Sequence, residues 1–159
     1  MAGKGTPATA ALTRQRVTYE LHSYEHNADN GSYGAQAVTE LGLDPARVCK
    51  TLVADVDGSL VVAVVPMTGQ LDLKALAATA GGKKAKLATA SVTQRTTGYV
   101  LGGVSPIGQR STLPTFIDSS VTAHATVYCS AGRRGLEVEL SPADLVWLTA
   151  ATSAAITRT

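Results

Sequence analysis

Lys50 is the residue whose type and position most directly suggest chemistry. It lies between Cys49 and Thr51 in the otherwise apolar run VCKTLVADV, which is typical of a β-strand. Lysine is depleted in strands and is rarely buried without a partner, so this side chain either points to solvent or lines a cleft. In a cleft its charge would act strongly on a bound ligand, because the local dielectric is low.

A glycine-rich loop, GGVSPIG, begins at Gly102 and Gly103 and continues through Ser105 and Pro106. Glycines let the backbone approach a ligand closely, and consecutive N–H groups can hold a carbonyl oxygen or an oxyanion. The loop lacks the GK[ST] sequence of a Walker loop and the spacing of a dinucleotide fingerprint. An ordinary tight turn is the alternative interpretation.

Other chemical signals are weaker. The histidines His22, His26 and His124 have no acidic or cysteine partner at metal-ligand spacing, so no metal site and no cofactor are expected. The sequence contains no GxSxG motif, which argues against a triad hydrolase. Arg133 and Arg134 lie in the turn sequence SAGRRG, which is either a hairpin tip or a phosphate contact.

The elements that must position these residues can be read from periodicity. The patterns predict helices over 7–16, 34–41, 71–80, 91–96 and 141–150, and strands over 17–24, 48–56, 60–66, 84–87, 115–118, 126–129 and 136–140. Residues 1–6 are expected to be a disordered tail, 27–32 a loop, and the segment after 150 a short helix or frayed. We therefore predict one α+β domain over 7–159, with a curled, mixed or antiparallel sheet and surrounding helices.

Composition narrows the class of protein. The 159 residues are 45% hydrophobic and 16% charged, which is sufficient for one core and excludes disorder as the main state. No run approaches a membrane span and no signal peptide is evident, so no membrane partner is expected. Two cysteines make no disulfide framework, and a reduced cytoplasmic protein is the expectation.

Positive charge is concentrated in one part of the chain. Residues 75–136 carry seven Lys or Arg and one acid, whereas the segments on either side are each net negative. Clustered basic residues are typical of a surface that binds a polyanion, and a solvated face is the alternative.

Several motifs together resemble one family. They are VCKTL at 48–52, GQLDLK at 69–74, QRTTGY at 94–99, GGVSPIG at 102–108 and SAGRRGLE at 130–137, together with Tyr24 and His26. In this order they resemble the YbaK family of Cys-tRNA(Pro) deacylases, which is related to the editing domain of bacterial prolyl-tRNA synthetases. The resemblance extends from about residue 7 to 148.

The resemblance implies a trans-editing hydrolase that deacylates mischarged tRNA(Pro), chiefly Cys-tRNA(Pro), with prolyl-tRNA synthetase as a further expected partner. It implies catalytic roles for Lys50, Gly102 and Gly103. It implies substrate-binding roles for Tyr24, Tyr33, Thr51, Ser105, Pro106, Ser130 and Glu137. We expect tRNA contacts from Lys83, Lys84, Lys86, Arg133 and Arg134.

The same resemblance implies that the substrate's own cysteine thiol attacks the ester carbonyl and leaves as a thiolactone, with Cys49 as a bystander. The Gly102 and Gly103 N–H groups would hold the carbonyl or the terminal ribose, and Lys50 would stabilise developing negative charge. Three alternatives remain open at this point. One is a broader deacylase for alanyl or seryl esters, and another is a binding module for tRNA or a synthetase without catalysis. The third is a ligand-binding fold with no RNA partner, which is favoured only if the basic residues are scattered over the surface.

Overall fold

The centre of the fold is a long β-hairpin. The computed structural model describes residues 5–25 and 33–158, and places β2 at Cys49–Val56 and β3 at Ser59–Pro66. The turn between them has positive φ at Asp57 and Gly58, the geometry that an Asp-Gly pair favours. The hairpin predicted from that pair is confirmed.

The hairpin is the middle of a mixed five-stranded sheet. Its strand order is β5 (Ala85–Leu87), β2, β3, β6 (Thr115–Asp118) and β9 (Thr152–Ala154). The β3–β6 and β6–β9 pairs are parallel, and the other two pairs are antiparallel. Residues 62–65 of β3 have no accessible surface, because both faces of the sheet are covered.

A second, antiparallel sheet provides the other wall of the molecule. It consists of β1 (Glu20–Ser23), β8 (Leu136–Leu140) and β7 (Val127–Arg133), in that order. A parallel bridge between Val48 and Tyr128 joins it to the start of β2. This connection brings the Lys50 end of β2 close to β7 and β8.

Within residues 5–25 and 33–158, five helices surround the sheets: α1 (Pro7–Arg14), α2 (Tyr33–Leu41), α3 (Leu73–Thr79), α4 (Ala90–Thr97) and α5 (Pro142–Thr149). Short 3-10 helices span Pro45–Arg47 and Ser119–Ala123. Side chains of Asp72, Thr89 and Ser141 cap α3, α4 and α5 by accepting a backbone N–H. The α+β class predicted from the sequence is confirmed. No helix in the described part of the chain is long and apolar enough to cross a membrane.

Two predictions at the chain ends differ from the structure. Thr6, assigned to a tail, caps α1 and donates its hydroxyl to the Ala131 carbonyl at 2.6 Å. The segment after 150 forms two strands, β9 and β10 (Thr157–Arg158), and β10 pairs with β4 (Gln70–Leu71). The predicted loop over 27–32, and His26, lie outside the described residues.

Candidate active site

A cleft of about 440 Å³ opens where the first residues of β2 meet α2, the glycine-rich loop and the β7–β8 hairpin. Six of the residues predicted for the site line it: Tyr33, Lys50, Thr51, Gly102, Ser130 and Glu137. The predicted tRNA contact Arg134 also lines it. These residues are far apart in sequence. They converge because the bridge between Val48 and Tyr128 joins the start of β2 to β7.

Lys50 lies on the cleft and not on an open face. It occupies β2 opposite Val65 of β3, and its side chain is partly buried. No carboxylate among the described residues comes within salt-bridge distance of its ammonium group. An unpaired cation in a half-enclosed cleft is available to an anionic ligand or to charge that develops during a reaction.

Two polar side chains in the cleft have no protein partner within the described ranges. The Thr51 hydroxyl oxygen is buried and makes no hydrogen bond. Glu137 is only 5% exposed, and its carboxylate makes no hydrogen bond or ion pair with any described residue. Burial raises the pKa of Glu137 to about 8. Buried polar groups without partners are uncommon in native proteins and indicate a ligand or functional role.

The mouth of the cleft is formed by side chains that hold one another. The Arg134 guanidinium lies 5.1 Å from the centre of the Tyr33 ring, and its Nε donates to the Leu101 carbonyl at 2.8 Å. Gly102 has φ +86, and a Cβ there would come within 2.1 Å of Tyr33 Cδ2. The Gly102 position therefore requires glycine for the close approach of that ring as well as for its backbone angle.

Tyr24 contacts Tyr33 from outside the cleft. It does not line the cleft, but its hydroxyl donates to the Tyr33 carbonyl at 3.0 Å. Burial, with a contribution from the nearby Glu137 charge, raises the pKa of Tyr24 to about 12, so the hydroxyl stays protonated as a donor. This hydrogen bond ties Tyr24 to the start of α2, and its role in substrate binding stays a prediction.

Three predicted residues of the glycine-rich loop do not face the cleft. The Gly103 N–H donates to the Val100 carbonyl at 2.9 Å, so it is not free to hold a substrate oxygen as expected. The Ser105 hydroxyl is fully buried and accepts the Ile107 N–H at 3.1 Å. Pro106 is buried and lines a separate cleft edged by the exposed Trp147. These three residues therefore contribute to the conformation of the loop and do not line the cleft.

The apolar wall of the cleft was missed from the sequence. It consists of Leu52, Met67, Leu101 and Val104. Met67 packs against the first turn of α2, where a Cβ on Gly34 would approach its sulfur within 2.6 Å. Nothing in the local sequence around Met67 indicates this contact, because α2 and the end of β3 meet only in the folded chain.

Cys49 also lines the cleft, but its thiol is 4% exposed. Burial, and then the Glu137 and Asp118 charges, raise the pKa of Cys49 to about 12. The thiolate that a nucleophile requires is therefore disfavoured at neutral pH. That Cys49 is a bystander in the reaction stays a prediction.

The predicted tRNA contacts form two separate groups. Arg133 and Arg134 are exposed beside the cleft, on the β7–β8 turn. Lys83 and Lys84 come directly before β5 at the far end of the central hairpin, where their N–H groups donate to the Asp57 carboxylate. Lys86 pairs with Asp55, five residues along β2 from Lys50, or roughly 17 Å at ~3.3 Å per residue.

One group with metal-ligating atoms occurs outside the cleft. The ligand atoms of Glu20, His22 and Glu139 lie within 4.8 Å of one another on the second sheet. His22 is already 2.9 Å from Glu139, and the Arg47 guanidinium is 3.4 Å from the same carboxylate. That carboxylate is therefore neutralised by protein groups. Sequence spacing alone missed the cluster because β1 and β8 meet only in the sheet.

Comparison with known proteins adds to this geometry. Residues 30–148 match the family model described as aminoacyl-tRNA editing domain. The chain is 36% identical over 154 residues to a protein of Enterococcus faecalis (strain ATCC 700802 / V583) that carries the provisional name Cys-tRNA(Pro)/Cys-tRNA(Cys) deacylase EbsC. The alignment covers 96% of this chain and 93% of that protein.

Solved structures agree on the fold. Hypothetical protein APE2540 superposes with a TM-score of 0.86 at 25% identity, over 96% of this chain and 100% of that one. A protein described provisionally as a trans-editing enzyme for prolyl tRNA synthetase superposes with a TM-score of 0.82 at 22% identity, over 96% of both chains. The family match covers more than half of the sequence and includes all of the residues that line the cleft. The chain therefore belongs to the aminoacyl-tRNA editing domain family.

Proposed function

We propose that the protein deacylates mischarged tRNA, chiefly Cys-tRNA(Pro), as a free-standing editing enzyme. The observation that carries the proposal is the cleft of a family member in which an unpaired lysine, Lys50, faces polar groups without partners. The relative named as a Cys-tRNA(Pro)/Cys-tRNA(Cys) deacylase matches this chain over almost its full length. Cysteine and proline are similar in size, so a synthetase pocket rejects cysteine poorly and a second sieve is needed.

The chemistry follows from an activated ester held beside fixed charges. Lys50 stabilises negative charge on the carbonyl oxygen, and the Gly102 N–H, which has no acceptor among the described residues, is a second donor. The cysteine thiol of the substrate attacks its own carbonyl, and the tRNA leaves with its terminal hydroxyl restored. No cofactor takes part in this scheme.

The remaining residues have supporting roles in the proposal. Thr51 and Ser130 contact the aminoacyl group, and Tyr33 closes the mouth of the cleft. Arg133, Arg134 and the lysines at 83, 84 and 86 contact the tRNA backbone. The tRNA substrate makes the cytoplasm the site of action, and prolyl-tRNA synthetase is the partner that would deliver mischarged tRNA(Pro).

Single-turnover deacylation tests the function. We expect wild type to remove cysteine from tRNA(Pro) rapidly and to leave Pro-tRNA(Pro) intact. Lys50→Ala should lose about 10²–10³-fold in rate, the typical effect of removing one oxyanion-stabilising group. The control is Lys74→Ala on α3, away from the cleft.

The substrate panel also separates the alternatives. Loss of alanine from Ala-tRNA(Pro) at a similar rate would indicate a broader, water-mediated deacylase. Loss of cysteine from Cys-tRNA(Cys) would show that the tRNA body is not discriminated. A protein that binds these tRNAs but hydrolyses none of them would contradict the proposed function, as would a Lys50→Ala variant that retains more than about a tenth of wild-type activity.

A further inference from the structure

Glu137 has no role in the proposed scheme as it stands, yet it is the most unusual ionisable group in the cleft. It is 5% exposed, it lines the same cavity as Lys50, and it makes no hydrogen bond or ion pair with any described residue. Its neighbour on the same face of β8, Glu139, is the opposite case. Glu139 is bound by His22 and Arg47 at the protein surface.

A carboxyl group in a cleft that has no partner among the described residues is available to a group of the ligand. Burying a charge without compensation is costly, so an unpaired buried carboxyl is retained only where a function requires it. The Thr51 hydroxyl, also buried without a partner, lies in the same cavity. The cavity therefore holds two polar side chains that make no hydrogen bond with the described residues.

We propose that Glu137 is the proton carrier of the reaction: its carboxylate takes the proton of the group that attacks the ester carbonyl and returns it to the departing ribose oxygen. This inference rests on the proposed function. In the forward step the attacking atom forms a bond to the carbonyl carbon, and its proton moves to Glu137. The carbon–oxygen bond to the ribose then breaks, and the Glu137 proton completes the tRNA hydroxyl, so the carboxylate is regenerated.

Two nucleophiles would fit this step. If the substrate's own thiol attacks, the product is a cysteine thiolactone. If water attacks, the product is free cysteine, and it contains one oxygen atom from solvent. The proton transfer through Glu137 is the same in both, and the product identifies the nucleophile.

The acidity of Glu137 suits the task. Burial raises its pKa to about 8, which lies close to the pKa of a cysteine thiol and close to working pH. A group of this acidity can both accept and release a proton during one turnover. The titratable or charged groups that line the same cavity are Tyr33, Cys49, Lys50 and Arg134. On the segments packed against β8, the groups closest to Glu137 are His22, Tyr24 and Cys129.

The test is the pH dependence of deacylation, under single-turnover and steady-state conditions, with Glu137→Gln and Glu137→Asp, and with Glu20→Gln as the control on the same sheet. We expect Glu137→Gln to lower kcat by about 10²–10⁴-fold, the usual contribution of general acid–base catalysis, with KM changed by less than about threefold. The rise of kcat/KM with pH that belongs to the enzyme should disappear in this variant. Any rise of kcat/KM with pH that persists in this variant belongs to the substrate's thiol or amine. Glu137→Asp should keep the rise of kcat/KM with pH but have a lower kcat. Glu20→Gln should match wild type in both.

A measurement on the wild-type protein keeps the proposal falsifiable if the variants fold poorly. Carbon-13 NMR of glutamate carboxyl groups should show one group titrating near pH 8 in the free protein, which is absent in Glu137→Gln. A carboxyl that titrates near its ordinary value would overturn the proposal. So would a variant in which kcat is unchanged, or one in which only KM rises, since that would make Glu137 an anchor for the substrate ammonium group. If wild type deacylates no aminoacyl-tRNA, the proposed function itself fails.

Discussion

The sequence predicts that Glu137 lies on a strand, but only the folded structure shows that it is buried and that burial raises its pKa. The residue falls in the predicted strand over 136–140, and the family resemblance implies that it binds substrate. Its 5% exposure and lack of a partner come from β1, β2 and β7 packing around β8. The energetic consequence can be tested without any substrate.

Replacing Glu137 by Gln should stabilise the protein in a pH-dependent way. The pKa of Glu137 is about 8 in the folded state, against an ordinary value of 4.5 in the unfolded chain. Below pH 4.5 both states are protonated, and Gln and Glu should be equivalent. Between 4.5 and 8 the unfolded chain ionises and the folded chain does not, so wild-type stability falls as pH rises. The loss is complete above pH 8 and amounts to a few kcal/mol at ~1.4 kcal/mol per unit.

Urea unfolding of both proteins at pH 4, 6.5 and 9 measures this difference. We expect the two free energies of unfolding to coincide at pH 4 and to diverge as pH rises. Glu20→Gln, at an exposed position, should run parallel to wild type at all three values. Equal stabilities of Glu137→Gln and wild type at pH 9 would show that the carboxyl is solvated or paired in the folded protein.

Other residues could be placed from the sequence only in part. Lys50 and Thr51 both line the cleft, because their strand follows from the local pattern of apolar residues, and their roles in the reaction stay predictions. Gly103 and Ser105 were expected at the substrate and are instead used in the loop's own hydrogen bonds. A sequence shows which residues a loop contains but not which of its N–H groups the loop itself consumes.

At the scale of elements, the glycine-rich loop and the start of α2 fit together through one contact. Gly102 leaves space for the Tyr33 ring, and the Arg134 guanidinium covers that ring at the mouth of the cleft. The N-terminal end of α2 is therefore fixed relative to the loop by a residue with no side chain. This predicts that a methyl group added at position 102 lowers activity by more than its effect on stability explains.

Gly102→Ala should cost activity beyond its effect on stability. A Cβ at 102 would lie 2.1 Å from Tyr33 Cδ2, and φ there is +86. Gly81→Ala is the matched control, because Gly81 has φ +80 and nothing within 4 Å of a Cβ. Both variants should lose about 1–2 kcal/mol in stability through backbone strain, and Gly102→Ala should lose more, because the Tyr33 ring must also move away from the added Cβ. Only Gly102→Ala should also lose about 10²-fold in kcat/KM, since small misplacements of a site are expensive. Equal activity in the two variants would mean that the Tyr33 contact has no role in the reaction.

Elements specified by local signals were predicted, and elements specified by tertiary contacts were not. The β2–β3 hairpin follows from an Asp-Gly pair between apolar runs, and α5 from the Ser141 cap. The strands β9 and β10 were missed. They are short, and the Ile156 N–H between them is held by the Asp118 carboxylate from β6, 38 residues away. No local pattern reports such a partner.

At the scale of the whole molecule, one basic stretch of sequence becomes two basic surfaces. Arg133 and Arg134 lie beside the cleft, whereas the lysines at 83, 84 and 86 surround β5 at the opposite end of β2. The sequence shows the excess of basic residues but not their separation into two surfaces. The separation arises because β5 and the β7–β8 turn belong to different sheets. If both surfaces contact one tRNA, it extends from the cleft along the central hairpin.

Removing the lysine surface should therefore weaken tRNA binding without changing the chemical step. Replacing Lys83, Lys84 and Lys86 by Gln leaves the backbone bonds to Asp57 intact, so the fold should be retained. The control removes the same charge elsewhere, by changing Arg16, Lys74 and Arg158 to Gln.

The lysine variant should show a higher Kd for tRNA. Its salt dependence, measured as log K against log salt concentration, should be shallower by about 0.7–0.9 for each phosphate that the lysines neutralise in wild type. Its kcat at saturating tRNA should equal that of wild type, because the cleft is roughly 17 Å away along the strand. If both triple variants show the same slope, the three lysines are a solvated face, and the tRNA is held by the arginines at the cleft alone. A lowered kcat would instead indicate that binding to this distant surface aligns the ester with Lys50.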